Sequence, residues 1–442
     1  MKVIKGFTSA KAVLSRPVPD EFYPTSLTLE LKPKNLPPRD KAERDVRKII
    51  DEVREHRDKA VHAYTSKYDG LELASLEVSK EQIASAYQAV DKDNKKLVGA
   101  LKMAAERIGS FHRAQRDNIW HEVAVSSSGQ LVRPLERVGL YIPGGTVAYP
   151  STVLMTAIPA KVAGVNEVIL VTPPRASGAV PPSILVAADI AGVDRVFRIG
   201  GAQAIAALAF GTESIPKVDK ICGPGNIFVT IAKRLVYGVV DIDGLQGPSE
   251  VLIIADETAD PGYCAADLLA QAEHDPLAST ILVTTSPRFA DKVNKEVEQQ
   301  LQSLPRRAIA AESLDKGIIA VVASVDEAIE LANLYAPEHL CLMVKDADSC
   351  VGKVANAGCI FIGGNSTVVL GDYVAGPSHV LPTGGTARFA SPLNVSDFIK
   401  YINTVSVDEA DLKELGEAAS IIARAEGFDA HARAVEKRFK TD

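Results

Sequence analysis

The chain has 442 residues, of which 46% are hydrophobic and 24% charged, a balance that is ordinary for a globular protein with more than one domain. Its net charge of -7 argues against nucleic acid or an anionic membrane as the main partner. No apolar run reaches the length of a membrane span, and the first residues lack the apolar core of a signal peptide. The five cysteines form no C-x-x-C pair, so we expect reduced thiols and a cytoplasmic protein.

The first part of the chain divides into an irregular segment and a helical one. Residues 1–38 are rich in proline and lack a clear period, so we expect an arm that packs on another surface. Residues 41–68 and 79–111 carry apolar side chains at helical spacing between charges, which predicts helices. Four histidines of this region lie among charged residues, and we expect them to be solvated and without a functional role: His56, His62, His112 and His121.

From Pro134 onward, apolar strands alternate with helical patterns, and three strands run into glycine-rich turns, at Gly139–Gly145, Gly200–Gln203 and Gly223–Asn226. This alternation predicts a parallel sheet with helices on both faces. Such sheets bind ligands beyond the carboxyl ends of their strands, so a nucleotide is a reasonable hypothesis. Because Phe228 stands where a G-x-G-x-x-G fingerprint would have its third glycine, tight-turn glycines are an equally good interpretation.

A second alternating region predicts another α/β domain, with strands at 251–255, 280–284, 318–322, 340–344 and 360–362. Helical patterns separate these strands at 288–304, 326–335 and 347–357. From about Ser396 the chain is predicted to be mostly helical, with helices at 410–425 and 429–439. The pattern therefore predicts an α/β protein with two Rossmann-like parallel-sheet domains, a helical N-terminal region and a helical C-terminal tail.

One helical run, 261–270, leads into a candidate metal site. Gln271 and His274 are three residues apart, so they can present an amide oxygen and an imidazole on one helix face. Asp372, in a predicted loop, and His431, near the C-terminus, would complete a nitrogen and oxygen ligand set that suits zinc. The ligands are scattered along the sequence, and a polar helix end is the alternative interpretation of Gln271 and His274.

A candidate acid–base pair, Glu338-His339, lies at the entry to a predicted strand. Adjacent Glu and His side chains can serve different protons if a loop turns both inward, although such pairs are often solvated. Two turn-rich segments accompany it, one containing Ser249 and the other His379.

Taken together, these motifs resemble the histidinol dehydrogenase family. The similarity runs from about Asp45 to Arg438, and the motifs stand in the order of the family. They are Gly139–Gly145, Gly200–Ala207, Gly223–Asn226, Gly247–Glu250, Gln271–His274, Ala336–Leu340 and His379–Thr383.

The resemblance implies a role for each matching position. It implies zinc ligands at Gln271, His274, Asp372 and His431 and an acid–base pair at Glu338 and His339. It implies NAD contacts at Tyr141, Gln203 and Asn226. It places the substrate against the zinc ligands, the acid–base pair, and Ser249, His379 and Glu426. In the family, zinc positions the imidazole and amine of the substrate.

The resemblance also implies a homodimer, in which a C-terminal tail at 394–442 completes the active site of the partner. The expected domains are an arm at 1–38, a main α/β domain at 39–140 and 250–393, and a nucleotide-binding domain at 141–249.

The implied function is the NAD-dependent, zinc-requiring oxidation of L-histidinol through L-histidinal to L-histidine, the last step of histidine biosynthesis. Gln246 and Ser378 depart from the residues usual in the family, and both flank segments on the substrate side. A related dehydrogenase that acts on another small amino alcohol or a sulfonated diol is therefore an alternative. A zinc- and nucleotide-binding regulator without turnover is a third hypothesis, against which the Glu338-His339 pair counts.

Overall fold

The structure is a computed structural model that describes residues 1–16, 39–125, 127–144 and 147–439. Its strands are β1 (Lys2–Lys5), β2 (Val123–Val125), β3 (Ser128–Pro134), β4 (Arg137–Tyr141), β5 (Glu167–Val171), β6 (Arg195–Phe197), β7 (Lys220–Cys222), β8 (Asp241–Ile242), β9 (Glu250–Ala255), β10 (Ser279–Thr284), β11 (Ile318–Val321), β12 (His339–Met343), β13 (Cys359–Ile362) and β14 (Ile399–Val405).

The helices of the first half are α1 (Phe7–Leu14), α2 (Arg39–Asp69), α3 (Lys80–Asp93), α4 (Leu97–Ile119), α5 (Pro150–Ala163), α6 (Pro182–Ile190), α7 (Gly201–Phe210) and α8 (Ile227–Val236). Those of the second half are α9 (Pro261–Ala272), α10 (Pro287–Leu301), α11 (Arg307–Asp315), α12 (Val325–Tyr335), α13 (Ala347–Val351), α14 (Val368–Tyr373), α15 (Glu409–Ala425) and α16 (Asp429–Phe439).

A five-stranded parallel sheet has the order β6-β5-β4-β7-β8. Successive side chains of a strand point to opposite faces, and in this sheet both faces are covered. Leu140 packs under α3, α4, α5 and α6, whereas its neighbour Tyr141 packs under α2, α7 and α8. Burial of both faces explains why these strands are almost continuously apolar.

A six-stranded parallel sheet has the order β1-β11-β10-β9-β12-β13. Helices α9, α10 and α11 cover one face, and α1, α12 and α13 cover the other. The two parallel sheets confirm the predicted α/β fold class. The predicted strands of this sheet agree with the structure to within about two residues, the usual uncertainty of element ends.

The expectation of an irregular arm is wrong for residues 1–16. β1 is an edge strand of the six-stranded sheet, in register with Ile318–Val321, and Ile4 is buried in the core between this sheet and helices α1 and α12. α1 buries Ala10 and Leu14 against α12. A four-residue strand carries too little periodicity to be recognised, because its partner β11 is distant in the sequence. The rest of the predicted arm lies outside the described residues.

The structure also differs from the expected domain grouping. Helices α2, α3 and α4 pack on the five-stranded sheet, not on the six-stranded sheet that contains β9–β13. An apolar stripe shows that one face of a helix is buried, but it does not identify the sheet that buries it.

His112, which we expected to be solvated, is fully buried on α4, at helical spacing from Leu101, Ala104 and Ile108.

The C-terminal region begins with an unexpected strand. β14 pairs antiparallel with β3, and β2 completes a small sheet in the order β14-β3-β2. Only Ile399 of β14 is buried, so the strand lacks the alternation that would have distinguished it from a helix. The predicted helices that follow correspond to α15 and α16.

Earlier in the chain, the helix predicted at 347–357 is shorter in the structure, where it ends at Val351.

Helices α15 and α16 pack on each other and leave large apolar side chains exposed. These side chains are Leu415, Ile421, Ile422 and Phe428. In the ranges that the structure describes, no helix combines the length and apolarity needed to cross a membrane.

Candidate functional site

A cavity of about 600 Å³ lies at the carboxyl ends of the five-stranded sheet. The three side chains expected to contact NAD, Tyr141, Gln203 and Asn226, all line it. Two predicted turns contribute glycines to the same wall, Gly144 from the first and Gly200 and Gly201 from the second. The fold therefore brings three sequence-distant motifs to one site, where parallel sheets bind nucleotides.

Hydrogen bonds shape the wall of this cavity. The backbone N–H of Gly201 donates to the hydroxyl of Tyr141 at 3.1 Å. Asn226 caps α8, accepting from the N–H groups of Phe228 at 3.0 Å and Val229 at 3.2 Å. A Cβ at Gly223 would lie 2.2 Å from the carbonyl oxygen of Tyr141, so this position requires glycine. The glycine-rich turn therefore packs against the strand beside it.

Helix α2 supplies a part of the cavity that the sequence did not reveal. The helix is broken at Arg57, which has a positive φ of 51°, and its two halves contact through Tyr64 and Glu52. Lys41, Asp45 and Asp69 consequently line the cavity from one side. The charged residues of this amphipathic helix have no feature that separates cavity-lining positions from solvated ones.

The Glu338-His339 pair is buried at the start of β12. The backbone N–H of Glu250 donates to Oε2 of Glu338 at 2.8 Å. The carbonyl oxygen of Glu250 lies 2.9 Å from Nδ1 of His339 and accepts its proton, since a carbonyl has none to donate. In the neutral imidazole, Nε2 then carries the lone pair and can act as a base.

Burial and charge oppose each other in this pair. Burial raises the pKa of Glu338 to about 8, with His339 and the Glu250 N–H opposing the shift. Burial by itself would lower the pKa of His339, but the carboxylates of Glu338 and Asp372 outweigh it and raise that pKa to about 9. Each group therefore holds its proton more tightly than it would in water.

Asp372 and His379 line a second cavity, of about 310 Å³, together with His339. Asp372 lies on the short helix α14, where we had predicted a loop, and its Oδ1 is 3.4 Å from Nε2 of His339. The carbonyl oxygen of Asp372 accepts from Nδ1 of His379 at 2.7 Å, and Nε2 of His379 lies 3.1 Å from Oγ1 of Thr152. Thr152 stands in the first turn of α5, which follows β4 and the Gly139–Gly145 motif.

Gln271 and His274 lie at and just beyond the C-terminal end of α9. The Gln271 side chain is buried. His274 is exposed by surface area; the surrounding protein lowers the pKa of its imidazole, and the charge of Asp372 opposes this effect. Helices α9 and α14 are joined by a hydrogen bond from Oγ1 of Thr367 to Asp267 at 2.6 Å. The structure thus connects the helix that carries Gln271 to the start of the helix that carries Asp372.

The remaining expected ligand is not part of this group within one chain. His431 and Glu426 are exposed on the C-terminal pair of helices, where His431 contacts Phe428. Across the described residues, no group of three or more His, Cys, Asp or Glu is placed to hold a metal ion. Gln271, His274 and Asp372 offer the nitrogen and oxygen donors that zinc accepts, so the donor set fits zinc but needs a further ligand.

Ser249 immediately precedes Glu250, and its carbonyl oxygen accepts from the N–H of Ser279 at 2.9 Å.

The two departures from the family pattern, Gln246 and Ser378, have structural roles. Oγ of Ser378 donates to the carbonyl of Met155 at 3.1 Å, and Oε1 of Gln246 accepts from the buried Nζ of Lys233 at 3.0 Å. These hydrogen bonds account for both side chains without requiring a contact with the substrate.

A parallel α/β fold, a cavity at the carboxyl ends of its strands and a buried Glu-His pair fit a protein of the nucleotide-dependent dehydrogenase class. Comparison with known proteins specifies the family. The sequence profile described as "Histidinol dehydrogenase" matches residues 34–439, and the chain belongs to the histidinol dehydrogenase family. The chain is therefore an NAD-dependent oxidoreductase.

Individual relatives agree with this assignment. The chain is 56% identical over 443 residues to histidinol dehydrogenase of Dehalococcoides mccartyi strain CBDB1, with 100% of both proteins covered. It is 52% identical over 398 residues to histidinol dehydrogenase of Clostridium acetobutylicum, covering 89% of this chain and 92% of that protein. A crystal structure of histidinol dehydrogenase from Elizabethkingia anophelis matches with a TM-score of 0.90 and 37% identity, covering 100% of this chain and 98% of that one.

Proposed function

We propose that this protein oxidises L-histidinol to L-histidine in two successive NAD-dependent steps at the buried Glu338-His339 pair. The observation that carries the proposal is that one residue, Glu250, binds both members of the pair through its backbone. Beside the pair lies a cavity lined by Asp372 and His379. An acid and a base that are held in place and shielded from water are what proton transfer during oxidation requires.

The reaction removes four electrons. The alcohol loses a proton and a hydride to give the aldehyde, water adds to the aldehyde, and the hydrate loses a second hydride to give the carboxylate. Two NAD accept the two hydrides, and three protons are released. In the first step Nε2 of His339 takes the hydroxyl proton, because Nδ1 is already engaged by Glu250. In the second step Glu338 in its ionised form activates the water.

NAD is proposed to occupy the cavity lined by Tyr141, Gln203 and Asn226. The start of α8 carries the partial positive charge of the helix dipole, which suits a pyrophosphate. The volume of about 600 Å³ falls within the range of cofactor sites.

Zinc is proposed to bind Gln271, His274 and Asp372 of one subunit and His431 of the other. When bound, zinc would supply a Lewis-acid anchor for the imidazole and amine of the substrate. His379, fixed between Asp372 and Thr152, and Ser249 then lie on the substrate side. Glu426, at the C-terminal end of α15, is proposed to contact the substrate from the same tail that carries His431.

The proposal includes a homodimer with composite sites. Two observations support it: α15 and α16 expose large apolar side chains, and the ligand group of one chain lacks His431. It also places the enzyme in the cytoplasm, because all five cysteines are free, as expected in a reducing compartment. The net charge of -7 supports neither nucleic acid nor membrane as a partner.

The experiment that tests the function is a stoichiometric assay. Purified protein is supplied with limiting L-histidinol and excess NAD, and NADH and L-histidine are both quantified. Two NADH and one histidine per histidinol are expected. A yield of one NADH with accumulated aldehyde would contradict the four-electron reaction, and no turnover with histidinol would contradict the substrate.

A further inference from the structure

Glu250, the first residue of β9, connects the acid–base pair to the rest of the protein. Its N–H binds Glu338 and its carbonyl binds His339, at 2.8 Å and 2.9 Å. Any displacement of Glu250 would therefore move both groups together. A positional error of about 1 Å can lower a rate about 10²-fold, so whatever holds Glu250 matters for catalysis.

The Glu250 side chain is buried, with 3% of its surface exposed, and its charge needs partners. Oε2 pairs with Nη2 of Arg16 at 2.7 Å, and Oε1 accepts from the N–H of Gly384 at 3.2 Å. The Arg16 side chain is itself only 14% exposed. An ion pair this buried depends on its geometry, because both charges have lost their hydration.

Arg16 also binds the segment that leads to the acid–base pair. Its Nε donates to the carbonyl of Tyr335 at 2.8 Å, and its guanidinium stacks 3.8 Å from the centroid of the Tyr335 ring. Tyr335 ends α12, and Ala336 follows in the left-handed region, with φ 53° and ψ 66°. That conformation is unfavourable for a residue with a Cβ, so the turn needs external support.

We propose that Arg16 is a positioning residue for the acid–base pair, which it holds by binding Glu250 through Nη2 of its guanidinium and the Tyr335–Ala336 turn through Nε. The inference rests on the proposed roles of Glu338 and His339. Arg16 follows α1, so it gives the N-terminal strand and helix a role in catalysis as well as in the core. A planar guanidinium can serve both partners at once, whereas the single ammonium of lysine cannot reproduce this fork.

The test compares Arg16→Met, Arg16→Lys and the double variant Arg16→Met/Glu250→Gln with wild type. Lys11→Met is the control, because Lys11 lies on the adjoining helix and its ammonium contacts only groups away from the acid–base pair, exposed Glu330 and the Phe7 ring. NADH titration gives the concentration of folded sites, and kcat is expressed per site. The NAD cavity lies on the other sheet, so KM for NAD should change less than about twofold in every variant.

For Arg16→Met we expect kcat to fall about 10- to 100-fold, and for Arg16→Lys by a smaller factor, because lysine retains the charge and loses one contact. In the double variant the unpaired buried charge is gone, so Tm should recover toward that of wild type while kcat stays low. If Arg16→Met does not fold, the reduced kcat of Arg16→Lys carries the test.

The inference is overturned if kcat of the folded Arg16 variants matches that of Lys11→Met, or if kcat recovers with Tm in the double variant. Glu338→Gln and His339→Asn are measured in the same series. Loss of activity in these two variants, with normal activity in the Arg16 variants, would refute the role of Arg16 and leave the proposed function of the pair intact. Normal activity in Glu338→Gln and His339→Asn would sink the proposed function of the pair itself.

Discussion

Oδ1 of Asp372 lies 3.4 Å from Nε2 of His339, so the carboxylate expected to hold zinc also faces the imidazole expected to act as base. Nε2 of His339 is buried and makes no hydrogen bond with any described residue. At this distance the two groups interact as charges, and the carboxylate helps to raise the pKa of His339. A cation bound to Asp372 would offset that charge and favour the neutral imidazole, the form of His339 that can accept a proton.

The first prediction concerns the metal. Replacing His274 with Asn should lower the zinc content per chain sharply, because imidazole supplies one of the stronger bonds of such a site. His121→Asn, at an exposed position outside the site, is the control. Zinc is measured by elemental analysis after dialysis. Full zinc content in His274→Asn, or full activity in metal-free wild type, would show that the proposed site is wrong.

The second prediction concerns composite sites. His431→Ala and His274→Ala should each be nearly inactive, but a mixed dimer pairs one intact core with one intact tail. With equal amounts and random exchange, about half of the dimers are mixed and each has one of two sites intact. Activity should therefore recover to roughly a quarter of wild type. Native mass spectrometry verifies the exchange, and exchange without recovery would place both histidines in one subunit's site.

The third prediction divides the two oxidations between Glu338 and His339. Glu338→Gln keeps the shape and removes the base, so histidinal oxidation should slow by about 10²–10⁴ while histidinol oxidation loses less. His339→Asn should impair the alcohol step. Single-turnover reactions started from histidinol and from histidinal separate the two steps. Equal losses in both steps of Glu338→Gln would rule out this division of labour.

The fourth prediction is the pH dependence of stability. The pKa of Glu338 is raised from 4.5 to about 8, and that of His339 from 6.5 to about 9. The unfolded chain therefore releases each proton at lower pH than the folded chain, and folding loses stability as pH rises from about 4.5 to about 9.

Urea denaturation of metal-free protein, at intervals between about pH 5 and pH 9, measures this effect. In Glu338→Gln the carboxyl no longer titrates and no longer raises the pKa of His339, so the decline should be shallower than in wild type. Parallel curves for the two proteins would mean that the pair does not titrate as described.

The fifth prediction concerns the cofactor cavity. Tyr141→Phe removes the acceptor of the Gly201 N–H and leaves that donor unsatisfied, at a cost of about 1–3 kcal/mol. KM for NAD should rise with little change in kcat. The matched control is Tyr87→Phe, which breaks a bond to Asp189 away from the cavity. An unchanged KM for NAD in Tyr141→Phe would show that this wall of the cavity does not contribute to cofactor binding.

The sequence by itself determined the elements whose signals are local. Buried parallel strands are continuously apolar, so β4, β5, β9, β10 and β12 were recognisable, and with them the α/β class. Glycine-rich turns after three of the strands pointed to one cavity, because parallel strands end at a common edge. The motifs and their order were enough to recognise the family. Glu338, His339, Gln271 and His274 could be named because they stand in such motifs, whereas Asp372 and His431 were named from their ligand chemistry and the family resemblance.

Only the tertiary structure decided what depends on contacts between distant segments. β1 and β14 were missed because an exposed or short strand is stabilised by hydrogen bonds to its neighbour, which leave no periodic trace in its own residues. Helix α2 and Arg16 show the same limit. In the sequence their charges resemble those of solvated residues. Only folding breaks α2 so that Asp69 reaches the cavity, and only folding buries the Glu250 carboxylate that binds Arg16.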